Sequence, residues 1–422
     1  MTLIRKARVI DPQSAYHDKV VDLLIEDGII KNIAASISSK GKEKVIEAKG
    51  LCVSPGWVDV FADYREPGFE HKETIESGLA AAASGGFTDV LIAPNTQPSL
   101  STKSIIQYVL RKAAGNAVNV HPIGAATQNT EGKELAEMMD MRANGAVAFS
   151  DGWKPVQNAN LALKAMEYVK AFKGTVIQIP VDGSLASGGL MSEGIVSTGL
   201  GMAGIPLLAE TIMVHRDIEL LRYTGAKLHI TGISAAESVA MIRKAKAEGL
   251  AITCSVTPYH LALTDESLSG YDSVYKVSPP LRSDADRQAL IKGLKDGTID
   301  CIASHHRPHE WDAKTKEFEY AADGMAVQET AFNILWDTLK KYISIDRLVE
   351  AMTIIPRDIF GLQEAVIAKG NKAVLTIFTT EGSTTLDLNN VMSASRNNPF
   401  IGKKLSGKVL GIINNDHIHL NK

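Results

Sequence analysis

The sequence predicts an α/β protein: a (β/α)8 barrel of the TIM type over residues 54–365, with a small β-sandwich built from both termini, 1–53 and 366–422. Three observations predict it. The chain has 422 residues and 45% apolar content, enough for a barrel core beside a smaller unit. Eight apolar, β-branched-rich runs alternate with helical segments through the middle. The two ends carry only short β-like runs and turns.

The eight runs lie at 57–62, 88–93, 118–123, 145–149, 175–179, 226–231, 250–255 and 300–304. Between them, Leu161, Ala165, Val169 and Phe172 fall three or four apart, the spacing of one helix face. Ser234-Ala235-Ala236-Glu237 has the form of a capping box, opening a helix that stops by Gly249. Repeated strand-helix alternation of this length is the pattern of a closed parallel barrel. A doubly wound open sheet is the rival, but no Gly-x-Gly-x-x-Gly follows a first strand. In the first segment Val20-Val21-Asp22-Leu23-Leu24-Ile25-Glu26 runs into the turn Asp27-Gly28, and similar runs recur at 373–378 and 407–413. Strands this short do not stand alone, so the termini are expected to pair with each other.

With 45 basic and 48 acidic residues the formal charge is -3, which gives no support for nucleic-acid or acidic-membrane binding. Small molecules and proteins are the expected partners. Cys52, Cys254 and Cys301 are odd in number and lack paired spacing, so no disulfide framework is expected and ordinary buried thiols are. No signal-peptide pattern opens the sequence and no run of about 18 apolar residues is present, which makes the cytoplasm the expected location.

The most informative stretch is Pro55-Gly56-Trp57-Val58-Asp59-Val60-Phe61-Ala62-Asp63-Tyr64-Arg65-Glu66-Pro67-Gly68. It resembles the Pro-Gly-x-x-Asp-x-His-x-His-x-Arg-Glu-Pro-Gly opening of class I dihydroorotases, members of the amidohydrolase superfamily. The resemblance continues through Ala93-Pro94-Asn95-Thr96, Ser192-Glu193-Gly194, Ala209-Glu210, Thr257-Pro258-Tyr259-His260, Pro279-Pro280-Leu281-Arg282 and Asn398-Pro399-Phe400. It implies a metal-dependent cyclic amide hydrolase in which zinc-bound hydroxide attacks dihydroorotate and a strand-eight aspartate moves the proton.

The residues that would do this are replaced. The strand-one histidines fall at Phe61 and Asp63, the strand-five histidine at Ile179, the second strand-six histidine at Gly232 and the strand-eight aspartate at His305, while His229 is retained. Of the two aspartates after strand four, source of the bridging carboxylate, only Asp151 remains, before Gly152. A phenyl ring has no lone pair for a metal, so no zinc is expected. Phe61 and Ile179 are read as filling the emptied site. An alternative mononuclear zinc site would draw on Asp63, Asp151, His305 and His306, and would leave the chain an active cyclic amide hydrolase. His229 and His260 are read as hydrogen-bonded core or loop residues.

By resemblance, Arg65, Asn95 and His309 match the groups that hold the substrate carboxylate, so weak binding of a small dicarboxylate is expected; the competing reading is that they only tie loops together. The resemblance also implies a partner, since class I dihydroorotases can associate with aspartate transcarbamoylase. The expectation is therefore a catalytically inactive homologue in pyrimidine biosynthesis, a structural partner of aspartate transcarbamoylase and a homo-oligomer.

Overall fold

The computed structural model describes residues 1–39 and 41–421. All eight runs form parallel strands lying side by side in chain order: Trp57–Ala62, Phe87–Ile92, Asn119–Gly124, Ala148–Phe149, Val176–Gln178, Leu228–Thr231, Ile252–Val256 and Cys301–Ile302. The ring closes just past the last strand. There Ala62 pairs with His306, His305 N donates to Phe61 O at 3.0 Å, and Asp63 N donates to His306 O at 2.8 Å. The barrel is thus of the (β/α)8 type, filled by Val58, Val60, Leu91, Ile123, Ile177 and Cys301.

Local chemistry sets the helix ends. Thr74 caps Ile75–Gly85 by accepting from Ser77 N at 3.0 Å, and Gly86 ends it at φ 91°, a left-handed conformation that suits glycine. Ala159–Lys170 buries Ala165 and Val169 as the spacing predicts. The capping box at Ser234 does not form: the helix is Ala236–Ala247, with Ala235 at its cap position and no side-chain cap bond. Ser234 is taken by stronger partners. Its N donates to Glu210 Oε1 at 2.9 Å, its hydroxyl donates to Glu210 Oε2, and Arg282 Nε donates to that hydroxyl at 2.7 Å. Charge-assisted bonds of this kind outcompete a neutral cap.

Both termini join one mixed sheet, ordered His417–Leu420, Lys404–Asn414, Val374–Thr385, Leu51–Pro55, Thr2–Val9, Val20–Glu26 and Ile29–Ala34, with Lys44–Ile46 also on Thr2–Val9. Leu51–Pro55 is the seam, parallel to Thr2–Val9 and antiparallel to Val374–Thr385. The C-terminal hairpin is much longer than its apolar runs. It is anchored on the barrel by Trp57, Phe332 and Phe378, whose rings lie 4.9–5.3 Å apart. The three cysteines are buried and free. Among the described residues no helix is long and apolar enough to cross a membrane.

Candidate functional site

Barrel sites form where the strands end, and the first strand here ends in Phe61 and Ala62. Phe61, Trp153 and His305 form a triangle of rings: 5.2 Å from Phe61 to Trp153, 5.0 Å from Phe61 to His305 and 5.2 Å from Trp153 to His305. Ile179 is buried in the same apolar cluster as Phe61. Such ring pairs add about 0.5–1.5 kcal/mol each beyond the area they bury. Two of the replaced histidine positions therefore contribute packing.

Gly232 and His305 are fitted to each other. Gly232 stands at φ +74°, and a Cβ there would overlap His305 Cε1 and lie 3.1 Å from both ring nitrogens. His305 Nε2 is 2.8 Å from Thr231 Oγ1, which accepts from Ser255 Oγ at 2.8 Å. Ser255 Oγ in turn lies 3.0 Å from His229 Nε2, and Thr253 Oγ1 lies 2.9 Å from His229 Nδ1. Burial holds His305 well below the usual histidine range and lowers His229 to about 3, so both rings are neutral. His260 is likewise a satisfied core residue, between Thr257 Oγ1 at 2.9 Å and the carbonyl of Pro279 at 3.1 Å.

The carboxylates are engaged by protein groups. Asp63 Oδ2 accepts from Trp153 Nε1 at 2.8 Å and pairs with Arg65 Nη1 at 3.0 Å. Asp151 accepts from Thr127 N at 2.8 Å and from the Thr127 hydroxyl, and burial raises its pKa. His306 Nε2 turns to Glu73 Oε2, 3.2 Å away.

Zinc needs several such donors directed at one point about 2.0–2.3 Å distant. Among the described residues no three His, Cys, Asp or Glu side chains are grouped to hold a metal. The mononuclear set Asp63, Asp151, His305 and His306 is therefore not brought together. Each of the four is drawn off by a partner of its own: Trp153 and Arg65, Thr127, Thr231, and Glu73. The residues do not fit the family's zinc.

Of the three carboxylate-gripping positions, two serve the loops. Asn95 Nδ2 donates to Asp151 O at 2.9 Å, and Asn95 Oδ1 accepts from Trp153 N at 2.9 Å. His309, lowered to about 2 chiefly by burial, has Nε2 2.9 Å from Asp323 O and Nδ1 3.4 Å from Lys72 Nζ. Arg65 differs. It is 7% exposed, yet its Nε and Nη2 have no protein acceptor.

Two residues that sequence reasoning did not single out complete the mouth. Trp153 donates to Asp63 and carries the Arg307 guanidinium on its ring, 4.4 Å from the centroid. Arg307 was readable in one respect: in His305-His306-Arg307-Pro308-His309 it replaces the alanine of the resembled Asp-His-Ala-Pro-His. A cavity of about 440 Å³ opens among Arg65, Asn95, Ser99, Trp153, Lys154 and Arg307.

A family model described as dihydro-orotase-like matches residues 50–238. A dihydroorotase of Acetivibrio thermocellus is 42% identical over 419 residues, covering 99% of this chain and 98% of that protein. The chain belongs to the dihydroorotase family. A dihydroorotase of Pelotomaculum thermopropionicum is 43% identical over 407 residues, covering 96% of this chain and 95% of that one. Among solved structures, the L-hydantoinase (dihydropyrimidinase) of Arthrobacter aurescens superposes with a TM-score of 0.87 at 22% identity, covering 100% of this chain and 96% of that one. A Thermus D-hydantoinase gives 0.80 at 18% identity, covering 100% and 97%. At such identities these structures speak for the amidohydrolase-like fold alone. Phe61, Ile179, Gly232 and His305 stand at the positions where the sequence resemblance places metal ligands and the catalytic acid.

Proposed function

We propose that this member of the dihydroorotase family has given up ring-opening chemistry and works in pyrimidine biosynthesis as a non-catalytic structural partner of aspartate transcarbamoylase, assembled as a homo-oligomer or mixed oligomer in the cytoplasm. One observation carries the reading. The strand ends that would hold metal and the catalytic acid are closed over by the Phe61, Trp153 and His305 rings and by the fit of Gly232 against His305. A site refilled with packing has, among the described residues, no cluster of metal ligands to activate the attacking hydroxide, yet the fold around it is kept across the whole chain. Selection on an interface rather than on turnover accounts for that asymmetry.

The test is co-expression with the aspartate transcarbamoylase of the same genome, followed by size-exclusion chromatography with light scattering. The expected result is co-elution at micromolar concentration through an interface of at least about 1,000 Å². Separate elution, or dihydroorotate hydrolysis abolished by a chelator, would overturn the proposal.

A further inference from the structure

The cavity at the barrel mouth is not the family's carboxylate grip, because Asn95 and His309 are committed to backbone partners. What it offers is different. Its lining contains three cations, Arg65, Lys154 and Arg307, and no carboxylate. Four polar atoms of that lining are buried without a protein partner: Arg65 Nε, Arg65 Nη2, Arg307 Nε and Ser99 Oγ. Asp63 reaches Arg65 only through Nη1, at 3.0 Å. Among the described residues Arg307 makes no ion pair within 4 Å; burial and the like charge of Arg65 push its pKa down, and the more distant Asp323 and Asp63 only partly offset this. Arg65 has one carboxylate partner and Arg307 none at ion-pair distance, so the mouth gathers more buried positive charge than its protein partners offset, an arrangement suited to an anion.

The donors also indicate which anion. A carboxylate presents two coplanar oxygens and a single charge, which one arginine fork satisfies. Donors from two guanidinium groups, a hydroxyl and a lysine exceed that capacity. A phosphoryl group presents three oxygens spread in space and close to two charges near neutral pH.

We propose that the barrel mouth binds a tetrahedral phosphoryl dianion, as free phosphate or as a small phosphate monoester, held by Arg65 and Arg307 with Lys154 and Ser99. The cavity volume leaves space beside the anion for a small organic group over Phe69 and Pro98. This site stands independently of whether the chain is catalytically silent.

Titration calorimetry of the full chain in phosphate-free buffer tests it, using inorganic phosphate, glycerol 3-phosphate and succinate. Phosphate and the monoester are expected to bind, and succinate at least about tenfold more weakly. A tighter monoester identifies a phosphorylated metabolite as the source, and equal affinities identify free phosphate. Arg307→Ala and the exposed Lys154→Ala should each weaken phosphate about tenfold and flatten its salt dependence, with thermal melts confirming folding. Lys154→Ala keeps the test open should Arg307→Ala fail to fold. Absence of binding at millimolar phosphate, succinate binding as tight as phosphate, or folded variants with unchanged affinity would overturn the proposal.

Discussion

The ring of His305 occupies the space that any side chain at position 232 would need. Restoring a metal-binding histidine there is therefore not a local change, since the strand-eight residue must leave first. Gly232→Ala should cost about 2–4 kcal/mol, combining strain at a positive φ with overpacking. In a His305→Ala background the overpacking part should vanish, giving a coupling of at least about 1 kcal/mol in a urea-denaturation double-mutant cycle. Additive effects would show that the two positions do not meet.

The aromatic triangle predicts a second cost. Phe61→Ala removes a ring with no exposed surface that touches both Trp153 and His305, so a loss of about 3–5 kcal/mol is expected. Phe61→Leu should lose well under half of that. A Phe61→Ala protein within 1 kcal/mol of the parent, on the scale of that truncation, would mean that the mouth is loosely filled.

Glu210 and Arg282 form a buried pair at 3.1 Å, and around it gather Ser192, Ser234 and Ser238. Arg282→Met leaves Glu210 charged and buried without its cation, and should destabilise by about 3–5 kcal/mol. Because neither Glu210 nor Arg282 lines the cavity, phosphate affinity in the folded fraction should not move. Loss of binding without loss of stability would contradict this structural role.

Acid should weaken the fold beginning in the pH range of free histidine. His229 is lowered to about 3, His260 to about 4 and His309 to about 2, and His305 lies well below 6.5, in each case chiefly by burial. The folded values are depressed, so the unfolded chain takes up protons first. Stability is full above about pH 6.5 and falls as pH drops below it, by up to about 1.4 kcal/mol per pH unit per histidine. Asp217, raised to about 6 chiefly by burial, and the buried Asp59, Asp151 and Glu329, also raised by burial, offset part of the loss. Urea midpoints at pH 7.5 and 5.5 check the sign, and equal midpoints would mean that these histidines are protonated in the fold.

The barrel was legible because its strands are short β-branched runs between helices of clear period, and every run from 57–62 to 300–304 contains a strand. The C-terminal hairpin was underestimated. Its outer part, Thr379 to Thr385, is polar and Gly-containing, and its pairing with Lys404–Ser406 depends on a partner strand far along the chain. Ser234 misled because a buried ion pair from distant segments captured the hydroxyl that a local pattern assigned to a cap. In the site, the packing read for Phe61 and Ile179 and the hydrogen-bonded roles read for His229 and His260 are what the structure shows. The fates of Asn95 and His309, and the parts played by Trp153 and Arg307, depend on where four loops meet, which no local spacing encodes.

The seam strand Leu51–Pro55 carries a consequence for synthesis on the ribosome. It is completed only by Val374–Thr385, and its neighbour Trp57 bonds to Thr376, 319 positions later. At roughly 5–20 residues per second the first strands leave the exit tunnel tens of seconds before their partner exists. For that interval Val53 and its neighbours form an apolar strand edge open to other nascent chains. The last hairpin made is thus the one that closes the sheet edge left open by the first strands.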